Sequence, residues 1–295
     1  MSTEDLSPRY LDLDRLSAIE QVGLLHESQA EAIAAVQPAL PAIAAAVEAA
    51  AQRLRRGGRL VYCGAGTSAR IGVQDGAELR PTFSWPADKV AFVIAGGEKA
   101  LLRAVENAED SGEDGADQIA KLGVGPDDVV LGIAASGNTP FTVAAVETAR
   151  RLGALTIGVA NNAGSRLLAE SEHPIFVDTG AEAVAGSTRL KAGTAQKIVL
   201  NLFSTAVMIQ LGRVYAGLMV EMQPTNAKLR QRAEQMVVKL TGCDAAIAAH
   251  ALARSGGKVK LAVLVVAGVD VAGAETLLDR SGGSLRAALA TVRGD

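Results

Sequence analysis

The chain has 295 residues, 49% of them apolar and 21% charged, enough to bury a full core and unlike disordered or fibrous proteins. With 29 Lys and Arg against 32 Asp and Glu, the formal net charge is −3. No broad cationic surface is therefore expected for a nucleic-acid backbone or an anionic membrane, and a phosphate-bearing ligand has to be met by a local site.

Residues 1–9 are polar and acidic, without the basic start and apolar stretch of an export signal, so a cytoplasmic location is expected. From Leu16 to Leu54 apolar positions recur at helical spacing and break only near Pro38 and Pro41, which predicts two N-terminal helices within 1–56. The short apolar run Arg59 to Cys63 then ends abruptly in Gly64-Ala65-Gly66-Thr67-Ser68, and a helix-like stretch follows it. Further strands are expected near Val90 to Ala95, Val129 to Ala134, Leu155 to Ala160 and Ile175 to Val177. This alternation predicts an α/β fold with a doubly wound parallel sheet spanning 57–225. A strongly apolar helical pattern runs from Ser187 to about Tyr215. The stretches Ile198 to Leu211 and Leu261 to Gly268 are interrupted or short of the roughly 20 residues that cross a bilayer, so they read as buried. Residues 226–295 hold five short Ala-, Leu- and Val-rich segments separated by glycines, which predicts a small helical C-terminal subdomain.

Open parallel sheets bind ligands at the carboxyl ends of their strands. Two loops there suit an anion: Gly66, Thr67 and Ser68 in the first, and Ser136, Gly137, Asn138 and Thr139 in the second. Each combines a glycine turn, hydroxyls and the free N–H groups of a following helix. Either loop alone reads as well as an N-capped helix after a turn, and it is the pair in one sheet that favours a binding site. The first loop lacks a full GxGxxG, so a dinucleotide is not expected, nor any other cofactor. A third polar cluster, Gly186 to Lys197, offers Ser187, Thr188 and Lys191. Arg189 and Lys191 at a helix N-terminus oppose the macrodipole unless they meet an anion; a salt bridge to a nearby carboxylate is the alternative. Cys63 and Cys243 lie outside any CxxC pair and the three histidines are scattered, so neither a disulfide framework nor a metal site is expected.

Together Gly64 to Ser68, Asp75-Gly76-Ala77-Glu78, Ala95-Gly96-Gly97, Val105 to Asp110, Ile133 to Gly137 and Gly186 to Lys197 resemble the N-acetylmuramic acid 6-phosphate etherase family. That family belongs to the sugar-isomerase (SIS) superfamily, as does the glucokinase regulatory protein. The resemblance runs from about Thr3 to Leu289, and the twelve residues from Gly186 are its most specific part. The chain departs from the family at Leu79-Arg80-Pro81, where Cys-Pro-Pro is usual, at Asn138, where Arg is usual, and at Asn161-Asn162-Ala163, where Cys-Asn-Pro is typical. The change at Asn138 removes a cation from the expected phosphate site, and Arg80 is a substitute source of charge.

The resemblance implies a lyase that releases D-lactate from N-acetylmuramic acid 6-phosphate, leaving N-acetylglucosamine 6-phosphate, in cell-wall amino-sugar recycling, and it implies a homodimer. Such an elimination needs a base for the C2 proton and an acid for the departing lactate oxygen, with roles exchanged when water adds back at C3. By resemblance Glu109 is the base and Glu78 the acid. Apolar Ala77 and Leu79 suggest partial burial for Glu78, and Glu109 is expected at the end of a helix over Glu98 to Ala108. Without the resemblance, Glu109 would read as one acid of a solvated helix end. Glu182 is a further candidate base, for which a structural hydrogen-bonding role is expected. An aldose–ketose isomerase and a non-catalytic sugar-phosphate sensor on the same fold are the alternatives.

Overall fold

A computed structural model describes residues 2–103 and 105–294. In chain order it contains α1 (Ala18–Val36), α2 (Leu40–Arg55), β1 (Leu60–Gly64), α3 (Gly66–Phe83), β2 (Val90–Ile94), α4 (Gly112–Leu122), β3 (Val129–Ala134), α5 (Pro140–Arg151), β4 (Leu155–Ala160), α6 (Arg166–Glu170), β5 (His173–Phe176) and α7 (Lys191–Gln210). Five helices follow: α8 (Ala227–Thr241), α9 (Ala245–Arg254), α10 (Val259–Val266), α11 (Val271–Arg280) and α12 (Leu285–Arg293). Contacts group the chain into two compact units, residues 1–77 with 87–204, and residues 78–86 with 205–295. Contacts place α1 and α2 with the sheet and the chain from 205 with the C-terminal helices.

The first unit is built on an all-parallel sheet in the order β2-β1-β3-β4-β5. β1, β3 and β4 are buried along their whole length, which is why they read as unbroken apolar runs rather than alternating ones. Val61, Val93, Val130, Ile119, Phe141 and Val146 form a core against α4 and α5. The order of strands reverses between β1 and β3, so the loops after these two neighbours meet at the sheet's switch point.

Residues 98–110 differ from the sequence expectation. They form two short 3₁₀ turns, Glu98–Leu101 and Ala108–Asp110, where a continuous helix over 98–108 was predicted; Ala104 within that span lies outside the described residues. Gly96 and Gly97 have positive φ, and Asn107 adopts the left-handed conformation (φ 60°), which a right-handed helix cannot accommodate.

By length and composition the stretches Ala18–Arg55 and Lys191–Gln210 are apolar enough to cross a membrane. The first is interrupted by a 3₁₀ turn at Gln37–Ala39, and the second carries Lys191 and Gln196, both buried and hydrogen-bonded inside the protein. In the second unit α8 to α12 pack around Val237, Leu264, Ala274 and Leu285. Lys260 is buried there, ion-paired with Glu221 and donating to Gly283 O at 2.7 Å. Burial pulls its pKa down despite the opposing influence of Glu221.

Candidate active site

Helix α3 begins directly after β1, so Thr67 and Ser68 occupy its first turn, where backbone N–H groups have no intrahelical partner. A Cβ at Gly64 would lie 3.0 Å from Ile133 O and 3.2 Å from Ala69 N, so glycine lets β1, β3 and the helix start converge. In the loop after β3, Ser136 Oγ accepts from Asn138 N at 3.2 Å and lies 3.5 Å from Thr139 Oγ1. Gly137 turns this loop with φ +66°, and a Cβ there would come within 2.2 Å of Ser165 Oγ. Thr139 is the N-cap of α5, whose first residue is Pro140.

These loops enclose a cavity of about 410 Å³. Gly66, Thr67 and Ser68 line one side, and Ser136, Asn138 and Thr139 another. Glu109 and Asp110 enter from the 3₁₀ turn, and Gly186 and Thr188 from the loop before α7. Most of the residues singled out from the sequence are thereby brought together. Gly137, Ser187, Lys191 and Glu78 do not line the cavity. Glu78, further along α3, is exposed rather than partly buried.

The polar residues behind the cavity have defined tasks. Ser68 Oγ donates to Gln196 Oε1 at 2.9 Å, Gln196 Nε2 to Asn161 Oδ1 at 3.0 Å, and Asn161 Nδ2 to Val177 O at 3.1 Å. A carbonyl can only accept, so Val177 O fixes the orientation of both amides in turn. The Ser68 hydrogen consequently points at Gln196, and the hydroxyl must turn to donate into the cavity. Asn138 Oδ1 accepts from Arg166 N at 3.0 Å. Asp75 is buried and accepts from Tyr62 Oη and Asn201 Nδ2, both at 2.8 Å.

Lys191 and Glu182 are committed elsewhere. Lys191 Nζ pairs with Glu31 at 2.9 Å, and the carboxylate of Glu182 accepts from the backbone N–H of Lys191 (2.9 Å) and Ala192 (2.8 Å). A buried carboxylate at the N-terminus of α7 thus offsets the cation that starts it. Burial pushes the Glu31 carboxyl up, but Lys191 and Arg9 outweigh it and hold the group below its usual range.

Glu4 also lines the cavity, and nothing in the sequence pattern singled it out. It arrives on an N-terminal segment clamped by residues more than 150 positions away, a contact that no local period announces.

A parallel sheet of this order, with hydroxyl-bearing βα loops meeting at its switch point, is a doubly wound α/β ligand-binding fold. Residues 42–150 match the glucokinase regulatory protein N-terminal SIS domain, and residues 105–206 match the SIS domain. The structure of a phosphoheptose isomerase from Francisella tularensis shares the fold with a TM-score of 0.51 at 24% identity, covering 66% of this chain and 98% of that one. An N-acetylmuramic acid 6-phosphate etherase from Deinococcus radiodurans is 50% identical over 264 residues, covering 90% of this chain and 87% of the relative. One from Symbiobacterium thermophilum is 52% identical over 264 residues, covering 90% and 88%. The chain belongs to the N-acetylmuramic acid 6-phosphate etherase family.

Proposed function

We propose that this protein is a carbon–oxygen lyase that converts N-acetylmuramic acid 6-phosphate to N-acetylglucosamine 6-phosphate and D-lactate. The observation that carries the reading is one cavity in which two hydroxyl-bearing helix starts face a carboxylate, Glu109. The phosphate is held by Thr67, Ser136 and Thr139 with the backbone N–H groups around them, and by Ser68 once its hydroxyl turns from Gln196. Asn138 contributes through its side-chain Nδ2, because its Oδ1 accepts from Arg166 N and its backbone N–H donates to Ser136 Oγ. Ring opening makes C1 an aldehyde and the C2 proton acidic. Glu109 takes that proton, the C2=C3 double bond forms as the C3–O bond breaks, and a protonated carboxyl gives its proton to the departing lactate oxygen. Water then adds at C3 with the two roles exchanged.

Glu78 is the proposed acid. It is exposed and is not among the residues that line the cavity, so the Glu78→Gln variant below decides its part in the reaction. We further propose a cytoplasmic homodimer with no nucleic-acid or membrane partner. Exposed Ile19, Val22 and Ile33 on α1 support the dimer, as an apolar stripe that a second chain would cover.

The test is release of D-lactate, with C2–H exchange followed by nuclear magnetic resonance in D₂O. Glu109→Gln is expected to lose both, with kcat lower by roughly 10² to 10⁴. Glu78→Gln is expected to lose lactate release to a similar extent while still exchanging the C2 proton, because the base and the open-chain aldehyde survive. Near-normal lactate release by Glu109→Gln would transfer the role of base to another carboxylate.

A further inference from the structure

We propose that Glu4 is a substrate-contacting residue, accepting hydrogen bonds from hydroxyl or amide N–H groups of the bound sugar. The assignment rests on the etherase reading above and adds a contact to the same site.

Chain ends fray unless something ties them down. Here Thr3 is fully buried. Its N–H donates to Asn162 Oδ1 at 3.1 Å, its Oγ1 accepts from Asn162 Nδ2 at 2.9 Å, and its carbonyl accepts from Gly186 N at 3.1 Å. The Asn162 amide has one possible orientation, because its Nδ2 also donates to Ala135 O at 3.1 Å, a group that only accepts, while Thr3 N–H only donates. Asn162 therefore fastens the N-terminal segment to the start of the loop that carries Ser136. Gly186 is the second anchor. It has φ +72°, and a Cβ there would fall 2.7 Å from Glu4 Oε2, so the glycine leaves room for the carboxylate.

The clamp on Thr3 delivers the next residue, Glu4, into the cavity wall. Among the described residues, the one hydrogen bond to its carboxylate is a long one of 3.5 Å from Thr3 Oγ1, so most of its accepting capacity is open to a ligand. An ionised carboxylate offers acceptors only, and beside a phosphate it would repel. Its natural counterpart is the donor-bearing part of an amino-sugar phosphate, the ring hydroxyls and the acetamido N–H, with which it makes charge-assisted bonds.

The test is isothermal titration with N-acetylglucosamine 6-phosphate and with inorganic phosphate, accompanied by thermal melting. Glu4→Ala is expected to weaken sugar-phosphate binding by roughly 10-fold or more, the loss of one hydrogen bond to a charged group, without weakening inorganic phosphate or lowering Tm. Thr3→Val, which removes the hydroxyl held by Asn162, should shift sugar-phosphate affinity in the same direction by less. Wild-type affinity in Glu4→Ala would overturn the assignment, as would an equal loss for both ligands. Absence of D-lactate release from the wild-type enzyme would instead overturn the etherase reading, which keeps the two failures apart.

Discussion

At the edge of the sheet where β1 and β3 begin, charged groups are closed in on one another and on the backbone. Asp128 accepts from Arg59 N (2.8 Å), Gly125 N (2.9 Å) and the Arg59 guanidinium (2.7 Å), while that guanidinium also donates to Leu122 O and Gly123 O. Gly58 is pressed so close that a Cβ would sit 1.7 Å from Asp127 O. At the opposite edge, where the same two strands end, Thr67, Ser136, Thr139, Glu4 and Glu109 face a cavity. One edge uses its polar groups for the fold, and the other, in the proposed function, holds them for a ligand. Substitutions at the two edges should therefore separate loss of stability from loss of activity.

The largest effect is expected from Gly58→Ala. Two backbone segments would have to part to admit the methyl group, at a cost of more than about 3 kcal/mol, and urea unfolding should show a collapsed midpoint or little folded protein at all. A variant with wild-type stability would mean that this edge yields easily, and the contrast would fail.

Next comes Asp128→Asn, expected to cost about 1–3 kcal/mol through weakened charge-assisted bonds, with kcat/KM of the folded enzyme unchanged. It also carries a pH signature. Burial pushes the Asp128 carboxyl up, but hydrogen bonds from Arg59 and Gly125 and the Arg59 charge outweigh this and hold it below 3.8. The unfolded chain then binds the proton more readily, so the contribution is full above about pH 5 and is lost as pH falls through the depressed value. Melting curves between pH 3 and 6 should converge for wild type and variant at the acid end; parallel curves would remove Asp128 as the cause.

The smallest effect sharpens the other edge. Ser136→Ala should raise KM by roughly 2- to 10-fold, the loss of one hydrogen bond, and leave kcat and Tm in place. A fall in Tm would show that Ser136 serves its own loop more than the substrate.

The sheet and the two glycine-turned βα loops were legible because each is written in contiguous residues. Val129 to Ala134 is apolar throughout since both faces are covered, and Gly66 and Gly137 mark turns that only glycine makes cheaply. Legibility stopped where a residue's meaning depends on a distant one. Lys191 read either as a cation awaiting phosphate or as half of a salt bridge, and only the fold reveals the second, with Glu31 on α1 as its partner. The helix expected over 98–108 failed on Asn107, whose left-handed backbone is tolerated by asparagine and signalled by nothing around it. Glu4 carried no signal, because its placement is decided by Asn162 and Gly186.

The amide chain behind Ser68 also bears on the order in which the protein comes into being. Ser68 and Gln196 are 128 positions apart, and Glu31 and Lys191 are 160 apart. Strands β1 to β5 have all been synthesised by residue 176, before α7 begins at 191. Contacts of such long sequence separation close late, after the loop entropy between them has been overcome. A nascent chain halted before Gln196 would hold every strand and both glycine loops, but Ser68 would lack the amide that accepts its hydrogen. Maturation of the cavity wall thus waits on the arrival of α7, and a pulse-labelling experiment on the growing chain should record the sheet's protection first and that of the Gly66 helix start last.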